Sequence, residues 1–192
     1  YMIKRCGWPG SDPMYITYHD LEWGAPVWQD QFLFECICLE GQQAGLSWIT
    51  VLKNRAHYRK CVKDFDVARV ARMRDSTIEK LLLDRGLIRN RLKLYSIRNN
   101  AIACQDVQKE FGSFKNYVWS FVNHNPIDGR RKKRKDIPAK TSVSDALSKD
   151  LKDRGFKFVG STICYAFMQA AGLVNDHMTD CFRYKQLKKK HG

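Results

Sequence analysis

Apolar residues recur at three- and four-residue spacing along almost the whole chain, and that period constrains the fold more than any other feature. It runs through DQFLFECICLEG (30–41), SWITVLKNRAHYRKCV (47–62) and STIEKLLLDRG (76–86). It continues through RLKLYSIRNNAIACQDVQKEF (91–111), SFKNYVWSFVNH (113–124) and SDALSKDLKDRG (144–155). Side chains three and four apart share one face of a helix, so each segment offers an apolar stripe to a common interior. Ser, Asp or Thr stands at several starts and Gly at several ends, as helix caps require. Strand-like alternation with hairpin turns is scarce, and no unit of about 20–50 residues repeats. The expectation is an all-α bundle of short helices forming one unit over residues 1–192, with 44% hydrophobic residues to fill its interior. The clearest break, NHNPIDGRRKKRKDIPAKTSV, makes 122–143 a basic loop crossing between helices.

The net charge of +14 points to a polyanionic partner, nucleic acid before an anionic membrane surface. RRKKRK at 130–135 supplies six of these charges, and without it eight of the fourteen remain, so the excess is spread over the fold. The run reads equally as phosphate-contacting or as solvated loop. Apolar stretches fall short of the roughly 18 residues that a membrane span needs, and no signal-peptide pattern opens the chain. A soluble cytoplasmic protein is expected, with Met2 a plausible start. Seven cysteines without an export signal argue against a disulfide framework. Cys36, Cys38, Cys104 and Cys164 lie in apolar surroundings and read as buried thiols.

Cys6 and Cys181 differ. Cys6 and His19 are spaced C-x12-H near one end of the chain, and His177 and Cys181 are spaced H-x3-C near the other. The second spacing puts both side chains on one face of a helical turn. Two thiolates and two imidazoles make a closed tetrahedral set, the habit of structural zinc. Each half alone has an ordinary reading, a core or capping histidine beside a buried thiol. Together they would let one ion clip the two ends of the chain.

Two further groups of residues stand out. Trp8, Tyr15, Tyr18, Trp23 and Trp48 flank Glu40, a carboxylate at the end of an apolar run. They form either a core cluster or a stacking box for a planar ligand, with the phenols and Glu40 meeting its polar edge. In KDRGFKFVGSTICYAF (152–167) a helix ends at Gly155, Phe156 and Val159 turn inward, and Gly160 opens another helix. That pattern suits a helix–hairpin–helix clamp on DNA phosphates as well as an ordinary corner between helices.

At this point the residues carry a family. RCGW (5–8), DPMYITYHDLEWG (12–24), CLEGQQAGLSWITVLKNR (38–55), VWSFVNH (118–124) and SDALSKDLKDRGFKFVGSTICYAFMQAAGLVNDH (144–177), with Cys181, resemble the 3-methyladenine DNA glycosylase I family of the helix–hairpin–helix superfamily. The likeness is collinear over nearly the whole chain, and only 56–117 and 125–143 match loosely. It implies a helix–hairpin–helix glycosylase fold with structural zinc on Cys6, His19, His177 and Cys181. It implies a base pocket of Tyr15, Tyr18, Trp8, Trp23 and Trp48, with Glu40 on the excised base. Gly45 and Leu46 match the loop that fills the gap left by an extruded nucleotide, and Gly155 and Gly160 belong to the phosphate-gripping hairpin. The implied partner is alkylated double-stranded DNA at the nucleoid, the product free 3-methyladenine, and the acting species a monomer.

Two departures from the wider superfamily narrow the chemistry. Asn175 stands where many relatives carry a catalytic aspartate, and Ser161 and Thr162 follow Gly160 where bifunctional relatives carry a lysine. The expectation is base release by water without strand cleavage. Glu40 either reads the base or also activates that water, and the first role is favoured because the two need different placements. A damage-binding module without catalysis and a zinc hydrolase are the competing classes. The retained Glu40 opposes the first, and the closed ligand set opposes the second.

Overall fold

The three–four period becomes helix at each of the six segments. The computed structural model describes residues 3–191, with the backbone alone at Lys190 and His191. Tyr1, Met2 and Gly192 lie outside it, and with them the plausible start. Its helices are α1 (Pro13–Leu21), α2 (Asp30–Gln43), α3 (Trp48–Cys61), α4 (Val67–Ala71), α5 (Asp75–Leu81), α6 (Arg91–Phe111), α7 (Phe114–Ser120), α8 (Ser142–Asp153), α9 (Ser161–Ala170) and α10 (Phe182–His191). Caps set several boundaries. Asp12 accepts hydrogen bonds from the Met14 and Tyr15 amides ahead of Pro13, and Asn90, Ser113 and Thr141 cap α6, α7 and α8 in the same way. Gly112 (φ 81°) stops α6 in the left-handed conformation that glycine adopts most cheaply.

Helix α2 is the axis of the molecule, packed against α3, α6, α7 and α9. Such surroundings explain why FLFECICL has no polar face: Leu33, Phe34, Ile37, Cys38 and Leu39 are all buried. Each large apolar side chain so buried contributes about 1.5–3 kcal/mol. Glu35, the acid within that run, is buried against Arg59, which holds it with Nε and a terminal guanidinium nitrogen at 3.0 and 2.7 Å. Around this axis Leu94, Ile97 and Cys104 of α6, Trp119 of α7 and Phe167 of α9 complete the core. Cys38, Cys104 and Cys164 are buried as expected, whereas Cys36 is only half-buried.

Three local features depart from the sequence reading. A short parallel pair joins β1 (Ile127–Asp128) to β2 (Val174–Asn175), a pairing of two residues that leaves no periodic trace. The basic loop is therefore not free between helices but hydrogen-bonded to the segment before His177. His177 and Cys181 also sit on a turn rather than a helix, closed by the Cys181 amide on the Met178 carbonyl at 2.8 Å. Short helices α1 and α4 and the charged α10 were not marked by the apolar period. No helix among the described residues is long and apolar enough to cross a membrane.

Candidate functional site

Cys6, His19, His177 and Cys181 converge, all four buried, with their ligand atoms within 4.8 Å of one another. Cys6 Sγ lies 3.6 Å from His177 Nδ1, and Cys181 Sγ lies 3.6 Å from His19 Nε2 and 3.7 Å from His177 Nδ1. The outward ring nitrogens are engaged too. His19 Nδ1 is 2.7 Å from Asp20, itself gripped by Arg5, and His177 Nε2 is 2.8 Å from the Trp23 carbonyl. A ring that donates outward keeps its inner lone pair free for a metal, so both imidazoles are held in the ligating tautomer. The Cys181 thiol is pulled well down, chiefly by its hydrogen bond with Cys6 and further by the two histidines.

Beside this cluster opens a cavity of about 260 Å³. Trp8, Tyr15, Tyr18, Trp23 and Trp48 wall it, and Glu40 lies in it with only 4% of its surface exposed. Every pocket residue expected from the sequence is present. Trp8 packs edge-on against Tyr15, Trp23 and His19 at centroid distances of 4.9, 5.1 and 5.2 Å, so the cavity and the Cys/His cluster share a wall. Tyr18 and Trp48 face each other at 5.6 Å. Glu40 accepts no hydrogen bond and meets no cation among the described residues, and burial pushes its carboxyl up to about 8. Among the described residues Tyr15 and Tyr18 donate to nothing, and the indole N–H groups of Trp8 and Trp48 are buried without an acceptor. The cavity is thus an aromatic slot in which Glu40, the two phenols and two of the indoles lack partners among the described residues.

The turn after α2 forms the neighbouring edge. Gly45 is left-handed (φ 78°) with open space around it, and Leu46 is 40% exposed at the tip. Buried Lys93 of α6 steadies this turn by donating to the Gln42 and Ala44 carbonyls, and Gln42 answers with a 2.9 Å bond to the Lys93 carbonyl. Sequence reasoning missed this brace, because a lysine in an amphipathic helix reads as solvated. The α8–α9 corner behaves as expected: Gly155 is left-handed (φ 93°), Phe156 and Val159 are buried, and Gly160 caps α9. Nothing among the described residues comes within 4 Å of a Cβ placed at Gly155 or Gly160, so that edge faces open space.

Asn175 does not line the cavity. Its side chain receives the His177 amide and donates to the Tyr184 carbonyl. The adjacent Asp176, fully buried, accepts from Arg131 at 2.8 Å, from Gln169 at 3.0 Å and from the Tyr165 hydroxyl. Gln169 itself lines the cavity, so Asp176 lies one residue behind its wall. Arg134 also lines the cavity, a placement that neither reading of 130–135, phosphate-contacting or solvated, specified. Burial and Glu40 push the Tyr15 phenol up while Arg134 pulls against them, so both charges act at one ring. Elsewhere His57 and Asp84 pair at 2.9 Å beside Cys61, tying α3 to the turn after α5. Both Cys61 and Asp84 face the same ring nitrogen, which rules out a relay through the imidazole.

Residues 8–184 match the family model for methyladenine glycosylase. The DNA-3-methyladenine glycosylase 1 of Escherichia coli K12 is 55% identical over 182 residues, covering 95% of this chain and 97% of that protein. A crystal structure of 3-methyladenine DNA glycosylase I aligns with a TM-score of 0.91 at 54% identity, over 93% of this chain and 98% of the other. A variant of such an enzyme in complex with 3-methyladenine aligns at 0.92 with 36% identity, over 94% and 97% of the two chains.

Proposed function

The chain belongs to the methyladenine glycosylase family, and from that premise we propose that it releases 3-methyladenine from alkylated double-stranded DNA by hydrolysing the N-glycosidic bond. The observation that carries this reading is Glu40, a partnerless carboxyl in an aromatic slot. Methylation at N3 makes the nucleobase cationic and weakens its bond to the sugar, so departure needs little help from an acid. The protein's task is to extract the nucleotide and hold the leaving base. Stacking on Trp48 and its neighbours supplies about 1–3 kcal/mol per base contact. A cation facing aromatic rings gains more when water is excluded.

Glu40 accepts hydrogen bonds from the amino edge of the base. The incoming cation favours its charged form, which burial alone disfavours, so the slot prefers an alkylated base to neutral adenine. Water then attacks the sugar from the far side. Gly45 and Leu46 fill the space that the extruded nucleotide leaves, held by the Lys93 brace. The α8–α9 corner, with Gly155 and Gly160, grips phosphates through free amides at the start of α9. Among the described residues no lysine lines the cavity, which supports base release without strand cleavage. The protein acts as a monomer at the nucleoid.

Zinc fits the Cys/His cluster. A thiolate sulfur and an imidazole nitrogen on one tetrahedral ion, with Zn–N of about 2.0 Å and Zn–S of about 2.3 Å, stand roughly 3.5 Å apart, and the sulfur–nitrogen spacings of 3.6, 3.6 and 3.7 Å lie close to that value. Cys6, His19, His177 and Cys181 would hold the ion, which would supply a staple between chain ends and no reaction step. Four protein ligands would fill a tetrahedral site, which counts against the zinc-hydrolase alternative.

The test is excision from methylated duplex DNA, with 7-methylguanine release and strand nicking followed in parallel. Release of 3-methyladenine with intact strands is expected. Tight binding without release would make the protein a damage-binding module instead.

A further inference from the structure

The basic run at 130–135 has a place in the fold that the chemistry above leaves unused. Two of its six cations are spent inside the protein: Arg130 pairs with Asp128 at 3.3 Å and Arg131 with Asp176 at 2.8 Å. Lys132, Lys133 and Arg134 have no carboxylate within ion-pair distance among the described residues, and all three are exposed. They line a groove of about 310 Å³ whose far wall is the segment Lys4–Trp8. The one acid lining that groove, Asp180, is taken by Lys4 at 2.6 Å, and Arg5 is taken by Asp20. Three uncompensated positive charges therefore face the groove.

Groove and cavity adjoin, with Trp8 and Arg134 in the lining of both. Arg134 stands on a single-turn 3-10 helix, Arg134–Asp136, and the next residue, Ile137, packs against the core. Upstream the run is fixed by the β1–β2 pairing, by the Thr179 amide on the Arg131 carbonyl at 2.8 Å, and by the buried Arg131–Asp176 pair. The fit at the entrance is close: a Cβ at Gly129 would come within 2.1 Å of Asp176 Oδ1. These cations ride on an anchored backbone, so holding an anion orders side chains but no loop.

The charges along this path have an order: a carboxyl deep in the slot, an arginine at its rim, then two lysines outside. An extruded nucleotide carries the complement, a cationic base inside and phosphates where its strand leaves the cavity. We propose that Arg134, Lys133 and Lys132 form a phosphate track contiguous with the base cavity, with Arg134 gripping the phosphate next to the extruded nucleotide and the lysines the phosphates beyond it. The track rests on the glycosylase reading for the identity of its strand. An arginine suits the rim position because its planar fork binds phosphate bidentately. Without that phosphate, Arg134 would repel the cationic base at the entrance; with it, the charge is neutralised where the base passes.

Two ligands separate the track from the base site: free 3-methyladenine, which has no phosphate, and a duplex containing a tetrahydrofuran abasic analogue, which has no base. Arg134→Ala should lower affinity for the abasic duplex about tenfold near physiological salt and reduce the slope of log affinity against log salt by about one. Lys132→Ala with Lys133→Ala, which line the groove and not the cavity, should leave affinity for free 3-methyladenine within twofold. The lysine pair should also reduce the slope further, and Arg134→Lys should restore the slope but only part of the affinity. An unchanged slope in Arg134→Ala, or in the lysine pair a loss of free-base affinity equal to the loss on DNA, overturns the track. Should the wild-type protein fail to bind free 3-methyladenine while Arg134→Ala still weakens the abasic duplex, the base reading falls and the track stands.

Discussion

Two buried polar clusters share the wall formed by Trp8, and they treat their polar atoms in opposite ways. In the Cys/His cluster every ligand atom has a neighbour, and even the outward ring nitrogens are engaged by Asp20 and the Trp23 carbonyl. In the cavity next door Glu40, Tyr15, Tyr18 and the indoles of Trp8 and Trp48 find no partner among the described residues. A buried polar group without a partner costs about 1–3 kcal/mol, and more when charged. The first cluster is thus complete for holding the fold together. The second is incomplete until something enters, and its cost is met by the stability of the rest. The difference matches the two proposed roles, a staple for the structure and a slot for a ligand.

Breaking the complete cluster should have the largest effect. Cys181→Ser, or removal of metal by a strong chelator, should lower the melting temperature by more than 10 °C, since structural zinc contributes many kcal/mol to folding. Metal analysis should give one zinc per chain in the wild type and markedly less in the variant. A wild-type protein that melts identically with and without chelator would undo the assignment.

Glu40→Gln sharpens the contrast from the other side. Excision should fall by about 100-fold, with discrimination against normal adenine falling too, yet the protein should gain stability at alkaline pH. The native carboxyl titrates at about 8 against 4.5 in the unfolded chain, so between these values the native state holds a proton that the unfolded chain has released. Stability from this group is complete below 4.5 and is lost as pH rises through about 8. Melting curves of variant and wild type should coincide near pH 4.5 and separate, with the variant higher, at pH 8 and above. Loss of turnover with free-base binding unchanged would instead assign Glu40 to activating water.

A gentler change tests the outer partners of the complete cluster. Asp20→Asn removes the carboxylate behind His19 without touching a ligand, and metal affinity should drop by about 10–100-fold in a competition titration. Base release at saturating zinc should be unaffected.

Much of this contrast was legible in the sequence. Cys6, His19, His177 and the pocket aromatics lie in blocks that carry the resemblance, with Cys181 just beyond the last, and the helical period located the scaffold that presents them. What stayed hidden depends on contacts between segments far apart in the chain. The β1–β2 pair is two residues long and gives no alternation, and its partners are 47 positions apart. His177 and Cys181 meet on a turn, because a spacing of four residues suits a turn as readily as a helix. Lys93 looked like one more surface lysine until α6 packed against α2 and aimed its amine at two carbonyls. Arg134 could not be assigned to the rim while 130–135 was only a run of charge.

The pairing of chain ends also sets an order of events during synthesis. Cys6 and His177 are 171 residues apart, so the amino-terminal arm has no partner cluster to settle on until nearly all the chain has emerged. Trp8 rides on that arm and walls both the cavity and the groove beside it. A nascent or carboxy-terminally truncated chain can therefore bury its α2 core while its slot still lacks a side. On the proposed function, the slot for a damaged base would be completed last.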